Sequence, residues 1–288
     1  MASTETLQPQ RGKVTPAYLK AKKQRGEKIV RITCYDYPMA LLADRAGVDA
    51  ILVGDSCGMV VAGLQSTVTV SMEEMIYHCK AVSRAAQHAM VIGDLPFLSY
   101  QTDIRDAIYN AGRLIKEGGA DVVKLEGGED FAPTISAIVK AGIPVVGHIG
   151  ITPQTASMSG GFKVKGTDVA TARKLIEDAK AVQAAGAFMM TLEGAPDRLA
   201  EVICKELAIP VTTMGSGPNT DGQTLNMYDI LGLFDKFTPK FVKKYANLAQ
   251  VIVQALQQYK QEVELGVYPG PEHTYHMKDE VLEEILRQ

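Results

Sequence analysis

Short apolar runs alternate with longer stretches in which apolar residues recur every three or four positions, and this rhythm covers most of the chain. The runs are 29–33, 50–53, 90–92, 122–125, 145–149, 189–192 and 210–213. Each reads as a buried strand. The stretches between them, 37–46, 72–86, 103–117, 131–141, 169–185, 198–207 and a segment near 223–231, read as helices. Gly47, Gly118-Gly119, Gly142 and Gly186 follow the helical stretches, where a left-handed cap is expected. The eighth strand is expected near 232–237, ahead of a long helix over about 242–265.

Strand and helix alternating at this spacing demand a parallel sheet, and about eight units fit a closed (β/α)8 barrel better than an open sheet. The fold expected is α/β, a TIM barrel. No Pro/Ser-rich linker divides the chain, so residues 1–288 are read as one domain. Met1 to Gly12 are polar and read as loose; Thr15-Pro16 then opens an N-terminal helical extension. Its Lys20, Lys22, Lys23 and Arg25 are expected to form a solvated face. At the other end, Met277, Val281, Leu282, Ile285 and Leu286 share one face of a short amphipathic helix. That tail packs either on its own barrel or on a neighbouring subunit.

The charge balance narrows the class of partner. Lys+Arg number 30 against Asp+Glu 33, a net charge of −3, which speaks against a general nucleic-acid binder. No apolar run approaches the roughly 18 residues of a membrane helix, and the N-terminus lacks a signal-peptide core. Cys34, Cys57, Cys79 and Cys204 show no paired spacing, so a reducing, cytoplasmic setting is expected.

Four carboxylates stand just beyond predicted strands: Asp55, Asp94, Glu126 and Glu193. In a parallel barrel these ends converge on one face. Gathered acids repel one another and resist burial unless a cation or a shared proton compensates. Oxygen ligands without clustered thiolates favour a hard cation, Mg²⁺ before Zn²⁺. Lys124 lies two residues before Glu126 and shares its side of the strand. It either pairs with Glu126 or holds a substrate carboxylate. Glu193, on the sixth strand, suits a general base aimed at a bound substrate. His148 reads as a supporting or substrate-contacting residue, Gly215-Ser216-Gly217 as a turn, and Gly160-Gly161-Phe162-Lys163 as a mobile loop.

Val53-Gly54-Asp55-Ser56, Asp94-Leu95-Pro96-Phe97, Lys124-Leu125-Glu126-Gly127-Gly128, His148-Ile149-Gly150-Ile151-Thr152-Pro153-Gln154, Gly160-Gly161-Phe162-Lys163-Val164 and Asp221-Gly222-Gln223, in that order, closely resemble the ketopantoate hydroxymethyltransferase family. The likeness runs from about residue 13 to residue 276. It implies a barrel of the phosphoenolpyruvate/pyruvate type. It also implies transfer of a hydroxymethyl group from 5,10-methylenetetrahydrofolate to 3-methyl-2-oxobutanoate, giving 2-dehydropantoate for pantothenate and coenzyme A synthesis.

By the same resemblance Asp55, Asp94 and Glu126 form a magnesium site, with Glu126 acting through water. Asp55, Ser56, Asp94 and Lys124 hold the keto acid, Glu193 accepts the proton, and the assembly is a homo-oligomer, a decamer. Gly194, Ala195 and the segment Met214-Gly215-Ser216-Gly217-Pro218 depart from the family pattern on the folate side. The competing reading is a phosphoenolpyruvate-mutase or isocitrate-lyase-like enzyme acting on a 2-oxo acid, but the Lys-Lys-Cys-Gly-His pattern of its lyases is absent. A Schiff-base aldolase using Lys124 is a further alternative.

Overall fold

In the computed structural model, which describes residues 12–287, eight parallel strands close into a barrel in sequence order. They are β1 (Ile29–Thr33), β2 (Ala50–Val53), β3 (Met90–Asp94), β4 (Val122–Glu126), β5 (Val145–Gly150), β6 (Met189–Glu193), β7 (Val211–Met214) and β8 (Gly222–Asn226). Helices Tyr37–Arg45, Met72–Ala85, Ile104–Lys116, Ala132–Lys140, Val169–Ala184 and Asp197–Glu206 follow β1 to β6. Gly47, Gly119, Gly142 and Gly186 all have positive φ after their helices, as their positions predict.

β8 corrects the sequence reading. It lies at Gly222–Asn226, overlapping the segment near 223–231 expected to be helical, of which only the four residues Met227–Ile230 form a helix. Residues 232–237 are not a strand, and the long helix begins at Leu248 and ends at Glu264. The physical reason is in the barrel interior. Thr224 of β8 is buried beside Arg31 of β1, so this strand presents a hydroxyl on its inner face and carries just one large apolar residue, Leu225.

Two apolar layers hold the barrel. Ile29, Ala50, Leu52, Met90, Ile92, Val122, Val146 and Met189 form one cluster inside it, joined by Val14 and Leu19 from the N-terminal segment. A larger cluster lies between strands and helices and includes Val53, Met75, Leu114, Ile135, Val182 and Ile203. The helix Pro16–Gln24, capped by Thr15, thus closes the bottom of the barrel. Its basic face is not simply solvated: Lys22 pairs with Asp49 at 2.7 Å and Lys23 with Asp221 at 2.8 Å, aspartates that precede β2 and β8. Lys20 remains exposed, and Arg25 pairs with Glu27.

Asp44 ties a helix end to the loop entering β3. Its carboxylate accepts from the backbone N–H groups of Gln87, His88 and Ala89 at 3.1, 3.0 and 2.7 Å. Burial raises its pKa, but these bonds, led by Ala89, and the His88 ring outweigh burial and hold it below the ordinary aspartate value. A depressed folded pKa contributes stability that is complete above the unfolded value and is lost as pH falls through the folded one. Asp44→Asn is therefore expected to cost about 1–3 kcal/mol at neutral pH. The gap to wild type should close on acidification; thermal melts that match at neutral pH would exclude this role.

The C-terminal elements are organised differently. Helices Leu248–Glu264 and Asp279–Leu286 bury no residue, and Val251, Val253, Leu256, Met277, Val281, Leu282, Ile285 and Leu286 are exposed. The tail helix therefore does not pack on its own barrel. No helix among the described residues is long and apolar enough to cross a membrane.

Candidate active site

Asp94, Glu126 and Glu193 are the last residues of β3, β4 and β6, one or two positions further into the ladder than the apolar runs suggest. Asp94 is in register with Lys124, Glu126 with His148, and Gly150 with Glu193. Asp55 follows β2 in a turn, and its backbone N–H donates to Asp94 Oδ2 at 3.2 Å. Gly150 has φ +95°, and a Cβ there would sit 2.1 Å from the Glu193 carbonyl oxygen, so glycine permits the close approach of β5 to β6.

Lys124 is the hub. Its Nζ donates to both oxygens of Asp94 at 2.7 and 2.8 Å and lies 3.4 Å from Glu126 Oε1. Burial works against its charge, but Asp94, Glu126 and Asp55 outweigh burial and raise its pKa. A lysine held cationic this firmly is a poor imine former, which tells against the Schiff-base alternative. His148 lies 3.3 Å from Glu126 Oε1 through Nδ1 and 3.3 Å from Glu193 Oε2 through Nε2. It joins the acid cluster to the sixth-strand carboxylate. Burial and Lys124 lower the imidazole pKa, yet Glu126 and Glu193 prevail and the net shift is upward.

The acids are not equivalent. Burial, then the charges of Asp94 and Glu126, pushes Asp55 well above the ordinary aspartate range. Burial also raises Asp94, against the pull of Lys124. Burial opposes ionisation of Glu126 too, but Lys124 and His148 win and keep it low. Asp55 and Asp94 are thus adjacent buried carboxylates with Lys124 as the cation on Asp94, and a further hard cation with water ligands fits the pair. Among the described residues no three His, Cys, Asp or Glu side chains form a ready metal cage.

Several supporting residues escaped the sequence reading. Gln154 donates through Nε2 to Asp55 Oδ2 and to the Leu95 carbonyl, both at 2.9 Å, and its N–H donates to Glu126 Oε2 at 3.1 Å. Tyr100 donates to Gln154 Oε1 at 2.7 Å. Ser56 Oγ lies 2.8 Å from the buried Tyr35 hydroxyl, which accepts from Asn226 Nδ2 at 2.6 Å. Gln154 stands in the Thr152-Pro153-Gln154 block, a signal present but unassigned; Tyr35, Tyr100 and Asn226 reach the site through space alone. Ser216 is buried in a turn, accepting from Ala195 N–H at 2.9 Å, and His273 and His276 are exposed in the tail. Residues 160–163 form no helix or strand, and Phe162 there is exposed.

Comparison with known proteins adds to this geometry. A family model described as ketopantoate hydroxymethyltransferase matches residues 13–271. The chain is 58% identical over 266 residues to 3-methyl-2-oxobutanoate hydroxymethyltransferase of Moorella thermoacetica, covering 92% of this chain and 99% of that protein. It is 52% identical to the protein of that name in Carboxydothermus hydrogenoformans, covering 95% and 99%. Among solved structures, a phosphonopyruvate hydrolase aligns with a TM-score of 0.59 at 14% identity, covering 94% of this chain and 96% of that one. A 2,3-dimethylmalate lyase of the PEP mutase/isocitrate lyase superfamily aligns at 0.58 and 15%, covering 90% and 92%. At such identity these structures speak for the barrel type alone.

Proposed function

The chain belongs to the ketopantoate hydroxymethyltransferase family, and we propose that it moves a hydroxymethyl group from 5,10-methylenetetrahydrofolate to 3-methyl-2-oxobutanoate with magnesium bound at its site. The observation that carries this reading is the ring of Asp55, Asp94, Lys124, Glu126, His148 and Glu193 at the C-terminal mouth of the barrel.

In this reading Asp55, Asp94 and Glu126 would hold Mg²⁺. Bound there, the metal supplies Lewis-acid stabilisation of the negative charge that develops on the keto acid. Asp55, Ser56, Asp94 and Lys124 bind the keto acid. Lys124 contributes a cation to its carboxylate or enolate oxygen, in a buried setting where charge–charge attraction is strong. Tyr35 and Asn226 fix the Ser56 hydroxyl toward the substrate.

Glu193 removes the proton from C3. His148, 3.3 Å from Glu193 Oε2, holds that carboxylate in place. The electron pair left at C3 then forms the new carbon–carbon bond to the one-carbon unit, water supplies the hydroxyl oxygen, and tetrahydrofolate departs. The exposed apolar faces of the two C-terminal helices support a homo-oligomer, for which we take the decamer implied by the family resemblance. Four free, buried cysteines support a cytoplasmic setting.

The test is direct. Folded protein incubated with 3-methyl-2-oxobutanoate, 5,10-methylenetetrahydrofolate and Mg²⁺ is expected to yield 2-dehydropantoate by mass. EDTA should abolish the product, and excess Mg²⁺ should restore it. No product from protein shown to be folded would reject the activity; undiminished product in EDTA would reject the metal.

A further inference from the structure

Arg31 is a cation inside the barrel for which neither the fold nor the proposed reaction gives a role. It lies mid-strand on β1 and is 2% exposed. Its register partners are Ala50 on β2 and Thr224 on β8, so its side chain shares the inner face with theirs. Across the barrel, Nη2 donates to Thr191 Oγ1 of β6 at 2.7 Å, and Thr191 is in register with Thr212 of β7. Four strands thus bring Arg31, Thr191, Thr212 and Thr224 together, and the three threonines are at most 1% exposed.

Most of the polar capacity of this cluster is unused. Arg31 Nε and Nη1, Thr212 Oγ1 and Thr224 Oγ1 are buried and have no hydrogen-bond partner among the described residues. Among the described residues no carboxylate pairs with the guanidinium. Asp94 and Glu193 act on it through charge at a distance; Asp94 accepts from Lys124 at 2.7 Å, and Glu193 lies 3.3 Å from His148. Burial lowers the guanidinium pKa to about 10, so it stays charged at neutral pH. Buried charges are normally paired and hydrogen-bonded.

We propose that Arg31, Thr212 and Thr224 form a binding site for a small monovalent anion of the halide class inside the barrel. The guanidinium supplies one positive charge and two free N–H edges, and the threonine hydroxyls rotate to donate. One cation and neutral hydroxyls match a single negative charge, not a divalent oxyanion. Ile29, Ala50 and Leu52 belong to the apolar cluster on the same inner face and offer an anion no further donors. The site is separate from the residues that bind the keto acid and stands whether or not the transferase reading holds.

Bromide is the probe. Crystals of the full chain grown or soaked in sodium bromide are expected to show one anomalous peak within hydrogen-bond distance of Arg31 Nε or Nη1. In solution, chloride replacing gluconate at constant ionic strength should raise the Tm saturably, by about 3 °C at ten times the half-saturating concentration. Thr212→Val with Thr224→Val keeps the side-chain shapes and should abolish that rise. Arg31→Met should do the same, and the threonine pair carries the test if the arginine variant fails to fold. Density for water alone beside Arg31 at saturating bromide would overturn the proposal, as would an equal chloride response in the folded threonine variant. So would loss of the bromide peak on adding 3-methyl-2-oxobutanoate, since the anion would then mark the substrate's own carboxylate site.

Discussion

Glu193→Gln is expected to lower kcat by about 10²- to 10⁴-fold, the usual contribution of a positioned general base. The side chain keeps its size and its place at the end of β6, so binding of 3-methyl-2-oxobutanoate should hardly change. Deuterium exchange at C3, followed by NMR with keto acid and Mg²⁺ but no folate, isolates the proton step from carbon transfer. Exchange at the wild-type rate in the variant would remove Glu193 as the base. A second consequence follows from the contact with His148. If that ring merely holds Glu193, His148→Asn should slow exchange less than Glu193→Gln does, because the carboxylate itself survives.

The second large effect is on stability. Lys124→Met leaves Asp94 and Glu126 buried without the cation that both face, at 2.7 and 3.4 Å. Breaking a buried pair by removing one partner costs about 3–5 kcal/mol, because the charge left behind is uncompensated. For a chain of this size the Tm should fall by roughly 10 °C. Magnesium supplies replacement positive charge if Asp55 and Asp94 hold it. MgCl2 should therefore raise the Tm of the variant more than that of wild type, with NaCl of equal ionic strength as the control. An unchanged Tm would show that Lys124 is dispensable to the folded site, and an equal response to Mg²⁺ would separate the lysine from the metal.

Much of the site was readable because of how a parallel barrel is built. Asp55, Asp94, Glu126 and Glu193 stand out as acids after apolar runs, and the closed topology brings those strand ends together. Their division of labour was not readable from spacing. Asp94 and Glu126 both face Lys124, yet burial dominates at one and the neighbouring cations at the other. That outcome depends on distances between β3, β4 and β5. Gln154 shows the same limit: its side chain reaches Asp55, 99 residues earlier, from a loop after β5. Tyr100 and Tyr35 likewise act on residues far from them in sequence.

By itself the sequence determined seven strands, the helices that follow six of them, and the acids at the barrel mouth. Each rests on local information: periodicity, capping glycines, and charge placed after apolar runs. Only the tertiary structure decided the eighth strand, because Thr224 is buried against Arg31 instead of apolar neighbours and leaves no hydrophobic signature. It also decided that Lys22 and Lys23 seal the barrel floor against Asp49 and Asp221 and that the C-terminal helices leave their apolar faces open. The common cause is that a polar residue's role depends on the partner it meets, and closure of the barrel chooses that partner.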